Sequence, residues 1–546
     1  MNSNRILAIL GGIVAVLILA VVVVAVLILS RGGNGGPRNA ASGGSSKGGA
    51  GQALRIPGDD PLTLDPAQVF DTTSANYVVE LFGGLVTLDK DLKVVPDVAK
   101  SMPDVSSDGK TYTFHLRDDV VFTGSNRKVT AQDFKYSLER AADPKTDSPT
   151  ADTYLGDIVG AKDMIRGKAT SISGIKVVDD STLQIQIDAP KPYFLAKMTY
   201  TTAFVVDKQQ IDSDPKNWTR HPNGTGPFIL KEWNIGQNVT LVPNTRYHLG
   251  VPDLKEVDYN LAGGSSLTEY ENNEVDVTGV GINDIERMRD QNDPLHKEFH
   301  EKPALSVGYI AFNTQKAPFD DLKVRQAFSQ SIDKEQLINV ILKNEADNAT
   351  GILPPAMPGF SKDTKGLPYN VNTAKQLLQD SKYAGKLPPI QLTLSGQGAT
   401  VDPLTEAIIQ MWKTNLDVDV TVQQEETATF FSDAQQGKLQ MYTEAWGADY
   451  ADPQDFLSVN FLSDSQQNES KYSSPQVDAL LRQADTTLDN SKRMDLYHQA
   501  EQMIINDAPW IPLTWDKDEY LVKPYVKGYD PVGLVIPLLR FVSVQK

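Results

Sequence analysis

The 546-residue chain contains no cysteine. That absence excludes disulfides, thiol nucleophiles, thiolate zinc sites and iron–sulfur clusters together. It also removes a lipid-modified cysteine as a means of membrane attachment, although it leaves the compartment open. Enzyme signatures are missing too: from Leu54 onward there is no GxSxG elbow, and nowhere an HExxH, a P-loop ending in Gly-Lys-Ser/Thr or a GxGxxG. Positive charge is scarce, and the formal net charge is −18. Residues 1–52 hold four bases (Arg5, Arg31, Arg38, Lys47) and no acid, so the remainder sets 48 bases against 70 acids. A body of that sign is repelled by phosphate backbones, and no nucleic-acid partner is expected. The six histidines are scattered. His296 and His300 stand four apart, a spacing that can put two ligands on one helical face, but a solvated surface is the plainer reading. No metal and no cofactor is assigned.

What is present starts at the N-terminus. Ile6 to Leu29 is a run of 24 residues without a charge. At about 1.5 Å per residue, such a helix covers a hydrocarbon core of about 30 Å with some tilt. Signal peptides usually have an apolar region of only about 7–15 residues, so residues 1–30 are read as an uncleaved single-pass anchor. The bases flanking the span do not fix its orientation. Residues 31–52 carry nine glycines and almost nothing apolar. They are read as a flexible Gly/Ser-rich tether with a reach of about 25 Å.

From Leu54 the sequence becomes that of a folded α/β body. Tyr112, Phe114 and Leu116 alternate with polar neighbours, as do Leu183, Ile185 and Ile187, which predicts two strands. Residues 130–141 predict a helix with Thr130 as N-cap and Asp133 three residues on. Further helices are expected over 320–342 (one or two), 401–416, 476–488 and 491–507, with a strand at 418–424. The length implies more than one lobe, since single cores stop growing near roughly 250–300 residues. The pair of glycines in NGTGPF (223–228) predicts a tight turn into a strand rather than a phosphate loop, because no lysine follows.

The stretch EAWGADYADP (444–453) sets Asp449 among aromatic and small residues, with Asp452 before Pro453. Taken alone, it is compatible with a catalytic acid/base pair, a metal ligand, a structural turn or a seat for a cation. A wider pattern surrounds it. LDPAQVFDTTSANYVVELFGGL (64–85), PDVAKSM (96–102), residues 108–140, VVDDSTLQIQI (177–187), NGTGPF, AFNTQKAPFDDLKVRQAFSQSID (311–333), EAWGADYADP and AEQMIINDAPWIPL (500–513) follow one another in order. Together they resemble the dipeptide/oligopeptide-binding proteins of ABC importers, the bacterial extracellular solute-binding proteins of family 5, from about Leu54 to Lys546.

The resemblance implies a two-lobed, hinged periplasmic-binding-protein fold of α/β class with an extra inserted domain. Lobe I is placed at 53–95, 205–305 and 515–546, the insert at 96–204 and lobe II at 306–514. Hinges are expected near 305 and 514. It also implies a role for Asp449. In peptide-binding members, the Asp of a similar W-x-x-D-Y stretch receives the ligand's α-ammonium. Trp446, Gly447 and Ala448 would then lie extended and offer backbone groups to the peptide. Phe70 and Thr72 would belong to a strand on the peptide's other side, and Trp446 and Tyr450 would either line the pocket or fill the core. Two departures stand out. SPTADTYL (148–155) has Thr150 where many peptide binders have an aromatic residue, and no base can be named for the peptide's C-terminal carboxylate.

The function expected is therefore a membrane-anchored, extracytoplasmic, monomeric receptor. It would deliver short peptides to an ABC permease whose ATPase subunits are separate chains, and it would not be an enzyme. The alternatives are a sensory or chaperone-like receptor on the same fold, a binder of a non-peptide ligand (opine, oligosaccharide, metal chelate or haem), and a surface hydrolase using Asp449 and Asp452. Turnover would single out the hydrolase. The identity of the bound molecule would separate the others.

Overall fold

Alternation and caps become structure where the sequence predicts them. The strands Thr111–His115 and Thr182–Gln186 pair antiparallel, with Tyr112 opposite Ile185 and Phe114 opposite Leu183. The helix Ala131–Ala142 packs Phe134, Leu138 and Ala141 into the same core. Its start is a reciprocal capping box between Thr130 and Asp133, which satisfies two of the otherwise orphaned N–H groups. Of the one or two helices expected over 320–342, two form: Leu322–Gln330 ends, and Asp333 caps a new short helix at Lys334–Gln336 that widens into a π-turn over Leu337–Ile341.

The computed structural model describes residues 53–546 apart from 385, 397, 399, 532, 535 and 537. The expected anchor (1–30) and tether (31–52) lie outside the described residues. No helix among the described residues is long and apolar enough to cross a membrane. The body is mixed α/β with three main sheets. One is four-stranded, in the order Ala53–Pro57, Glu256–Asn260, Asn238–Pro243, Phe228–Asn234, with the first pair parallel. The second holds the two alternating strands above, flanked by Asp104–Val105 and Ile175–Asp179. Its core also takes in Leu85, Val86, Ala203 and Val205, so this layer is packed on its host.

The third and largest sheet positions the site. Its order is Val277–Gly279, Trp510–Val522, Phe299–Phe312, Met441–Gly447, Ile390–Ser395, Val420–Glu425. Two long strands, Phe299–Phe312 and Trp510–Val522, pair antiparallel through most of their length. Leu521, toward one end, packs with Tyr270, Val275 and Ile285. Val307, Tyr309, Trp510 and Trp515, toward the other, belong to a different core that includes Phe456, Phe461 and Tyr497. Between these ends the register shifts twice, at Pro303/Val307 and at Gly308/Tyr309. Such irregularities bend and twist a strand pair locally.

NGTGPF is the predicted turn into a strand, Phe228–Asn234. It also shows why glycine is needed. A Cβ on Gly224 would lie 1.9 Å from the Leu81 carbonyl oxygen, at the end of the helix Thr72–Leu81. Gly224→Ala is expected to cost about 3 kcal/mol or more, because neither backbone can yield cheaply. Urea unfolding of the variant against wild type measures this directly.

The alternative of a metal pair at His296 and His300 does not assemble. His296 sits in a 3₁₀ turn, with Nδ1 2.8 Å from the Met288 carbonyl oxygen, and His300 is in a strand, stacked on Tyr520. The helix that would have put both on one face does not form. Among the described residues no cluster of three or more His, Asp or Glu side chains could hold a metal ion.

Candidate functional site

The strand Met441–Gly447 carries the site because of its period of two. Tyr442, Glu444 and Trp446 point to one face, and their antiparallel partners there are Ala311, Tyr309 and Val307. On its other side the strand has a parallel neighbour only at Met441 and Tyr442, which pair with Leu392 and Thr393. From Thr443 to Gly447 that edge has no strand partner among the described residues. A cavity of about 750 Å³ opens along it.

Six of the seven expected site residues line this cavity: Phe70, Thr72, Trp446, Gly447, Ala448 and Asp449. Tyr450 does not. It is fully buried against Tyr154 and Tyr193, and its hydroxyl donates to Gln454 Oε1. Of the two roles open to the aromatic pair, Trp446 takes the wall and Tyr450 the core. A second correction concerns Phe70 and Thr72, which lie in no strand. Asp71 caps the helix Thr72–Leu81 by accepting from Ser74 N at 2.8 Å, so Thr72 opens a helix. Phe70 is left exposed, edge-on to Phe431 across the cavity wall.

Asp449 is held from two directions. Its backbone N–H donates to Asp455 Oδ2 at 2.9 Å, and its own Oδ2 accepts from the Tyr154 hydroxyl. Tyr154 is fixed in turn by stacking on Tyr200, with centroids 3.7 Å apart. Burial raises the Asp449 carboxyl to about 7, a rise that the Tyr154 hydrogen bond partly offsets. Burial, then the charge of Asp449, pushes Asp455 well above the usual carboxylate range. Among the described residues no cationic partner stabilises the charge of a carboxylate in this position. Asp452, by contrast, is committed elsewhere. It caps the helix Pro453–Phe456 through Gln454 N and pairs with Arg493, at 2.9 Å in each case. It is not among the cavity-lining residues, so the Asp449/Asp452 acid–base pair of the hydrolase reading does not assemble.

The sequence reading missed several lining groups: Asp71, Tyr154, Tyr309, Glu444, Glu469 and Asp518. Alternation in MYTEAWG was a sufficient signal for Glu444. Nothing local signalled Tyr154 or Glu469. Thr150, where an aromatic residue was looked for, also lines the cavity and is tied to Thr202 by a 2.7 Å hydroxyl pair. The aromatic ring near it comes from Tyr154, four residues on.

Residues 93–468 match the bacterial extracellular solute-binding proteins, family 5. The chain belongs to that family. This solute-binding protein of the ABC type is 33% identical to the probable deoxycholate-binding periplasmic protein YgiS of Escherichia coli K12, over 86% of this chain and 89% of that one. It is 30% identical to the periplasmic oligopeptide-binding protein OppA of the same strain, over 87% and 89%. Its fold superposes on the murein tripeptide binding protein MppA of Escherichia coli with a TM-score of 0.81 at 30% identity, covering 91% of this chain and 99% of that one. Against an unliganded open form of MppA, over the same shares, the score falls to 0.68. These relatives give this solute-binding protein the two-lobed α/β fold expected from its sequence.

Proposed function

We propose that this protein is an extracytoplasmic receptor that captures short peptides by hinge closure and delivers them to an ABC permease with separate ATPase subunits. The observation that carries the reading is the pairing of two features in one cavity. Asp449 is a half-buried carboxylate without a cationic partner among the described residues, and beside it runs a strand edge with no strand partner among them from Thr443 to Gly447. An α-ammonium satisfies the first by charge-assisted hydrogen bonds. An extended peptide backbone satisfies the second by strand addition, which gives affinity without reading side chains. Phe70, Thr72, Trp446, Gly447 and Ala448 complete the walls.

Closure would occur between lobe I (53–95, 205–305, 515–546), carrying the insert 96–204, and lobe II (306–514). The register shifts near 303–309 are the natural bending points. The poorer superposition on an open form supports a closed arrangement here. Residues 1–30 would hold the receptor at the membrane on the tether 31–52, and it would work as a monomer that binds without turnover. Signal transfer from the closed state is the second reading for the same fold. A carboxylate-bearing ligand such as deoxycholate, the compound named for YgiS, is disfavoured here. Such an anion would meet five acids and no base among the described lining residues.

Mass spectrometry of small molecules released on denaturing the purified chain tests the ligand class. A ladder of short peptides is expected. A single non-peptide compound would overturn the peptide reading and leave Asp449 needing another partner.

A further inference from the structure

Asp449 is not the only uncompensated acid in the cavity. Glu444 lies on the same strand, five residues earlier, on the face shared with Tyr442 and Trp446. The Tyr309 hydroxyl donates to Glu444 Oε2 at 2.9 Å, and Tyr309 is held by face-to-face stacking on Trp510, with centroids 3.6 Å apart. Glu469 comes to the same cavity from the segment after the helix Ser458–Phe461, and burial, then the charge of Glu444, pushes its carboxyl well above the usual range. Neighbouring carboxyls repel each other as anions, so a proton is retained on the pair until a cation replaces it. Among the described residues, the one base acting on Glu469 is Lys471. Its ammonium donates to the Gln435 carbonyl at 2.7 Å, and it does not line the cavity.

Two further observations point to what fills this corner. Tyr442 is 1% exposed and lines the cavity, so its ring faces whatever fills this corner. With Tyr309 and Trp510 it also makes the walls π-rich, a surface that attracts cations. Over the whole cavity, the described lining residues include five acids (Asp71, Glu444, Asp449, Glu469, Asp518) and no lysine, arginine or histidine. A low-dielectric cleft of one sign focuses its field and selects ligands of the other.

We propose that Glu444 and Glu469 form a second cation subsite, so that this receptor selects short peptides carrying a lysine or arginine side chain near the N-terminus. The assignment rests on the reading of Asp449 as the α-ammonium seat. Spacing sets the position of the basic residue. Five residues of extended chain span at most about 17 Å. A bound peptide advances about 3.3 Å per residue and a lysine stem reaches about 6 Å further, which puts the basic side chain at the second to fourth residue. Glu469 would give up its proton as the ligand's cation arrives, so the charge is replaced rather than left unpaired.

The test is calorimetric titration of the full chain with tetra-alanine and with tetra-alanine bearing lysine, or glutamate, at position 2, 3 or 4. At least one lysine peptide is expected to bind about tenfold or more tighter than tetra-alanine, and the glutamate peptides more weakly. In the double variant Glu444→Gln, Glu469→Gln, the lysine-to-alanine affinity ratio is expected to collapse to within about twofold, with folding checked by melting temperature. Equal binding of lysine and alanine peptides to wild type overturns the second subsite while leaving the peptide reading intact. A lysine preference that survives in the double variant overturns its assignment to these two residues. Failure of every peptide to bind the folded protein overturns the peptide reading itself, and the subsite with it.

Discussion

Asp449→Asn is expected to weaken the binding of a peptide with a free N-terminus by about 10- to 100-fold, the loss of about 1.5–3 kcal/mol from a hydrogen bond to a charged group. Asparagine keeps the shape of the side chain and a carbonyl oxygen for Tyr154, so the change removes charge more than packing. N-terminal acetylation of the peptide should cost wild type a similar factor. The two losses should not add, because both delete the same ion pair. Calorimetry on the four combinations of protein and peptide measures the coupling. If acetylation and substitution weaken binding independently, Asp449 does not receive the ammonium, however large either effect.

Peptide affinity is expected to rise by about 20-fold between pH 5.5 and pH 7.5, given a carboxyl near 7 that must lose its proton to hold a cation. Above that range the peptide's own amine begins to deprotonate, near 8. The unliganded protein should show the opposite trend at this site. Its folded state keeps a proton on Asp449 in the window between about 4 and about 7, where the unfolded chain has already released it. Protonation therefore favours the fold at low pH, and this contribution is lost as pH rises through 7. The melting-temperature difference of Asp449→Asn minus wild type should grow more positive from pH 5 to pH 8, since asparagine never ionises. Tyr154→Phe removes the hydrogen bond that lowers the Asp449 carboxyl, so the affinity midpoint should move to higher pH. A flat affinity profile across pH 5.5–7.5 would mean that Asp449 is not the titrating partner of the ligand.

Local rules carried the sequence reading a long way, and the reason is visible in particular elements. Thr130 and Asp133 are three residues apart, so their capping box depends only on helix geometry. Asp402 before Pro403 starts the helix Pro403–Leu416 in the same local way, by accepting from Thr405 N at 2.9 Å. The ordered segments from 64 to 513 were enough to name the family, because each records a turn, cap or strand that the fold reuses. The errors were local as well. The four-residue spacing of His296 and His300 implied a helix face, yet their chain turns into a long sheet strand whose pairing overrides that period. Phe70 and Thr72 were assigned to a strand where Asp71 caps a helix.

The sequence by itself determined the α/β class, the family, the acid at the mouth of a strand and the absence of thiol chemistry. Only the tertiary structure decided what that acid meets. Tyr154 lies 295 residues away from Asp449, and Glu469 reaches Glu444 from a different segment. Neither contact leaves a trace in any local period. The same is true of the cavity's charge. The net excess of acids can be counted from composition, but counting cannot tell a solvated surface, where carboxylates are screened, from a closed cleft that gathers five of them without a base among its described lining residues. Burial is a property of the assembled body, and burial gives Glu444, Asp449, Glu469 and Asp518 their raised affinity for protons and, by the same electrostatics, their demand for a cation.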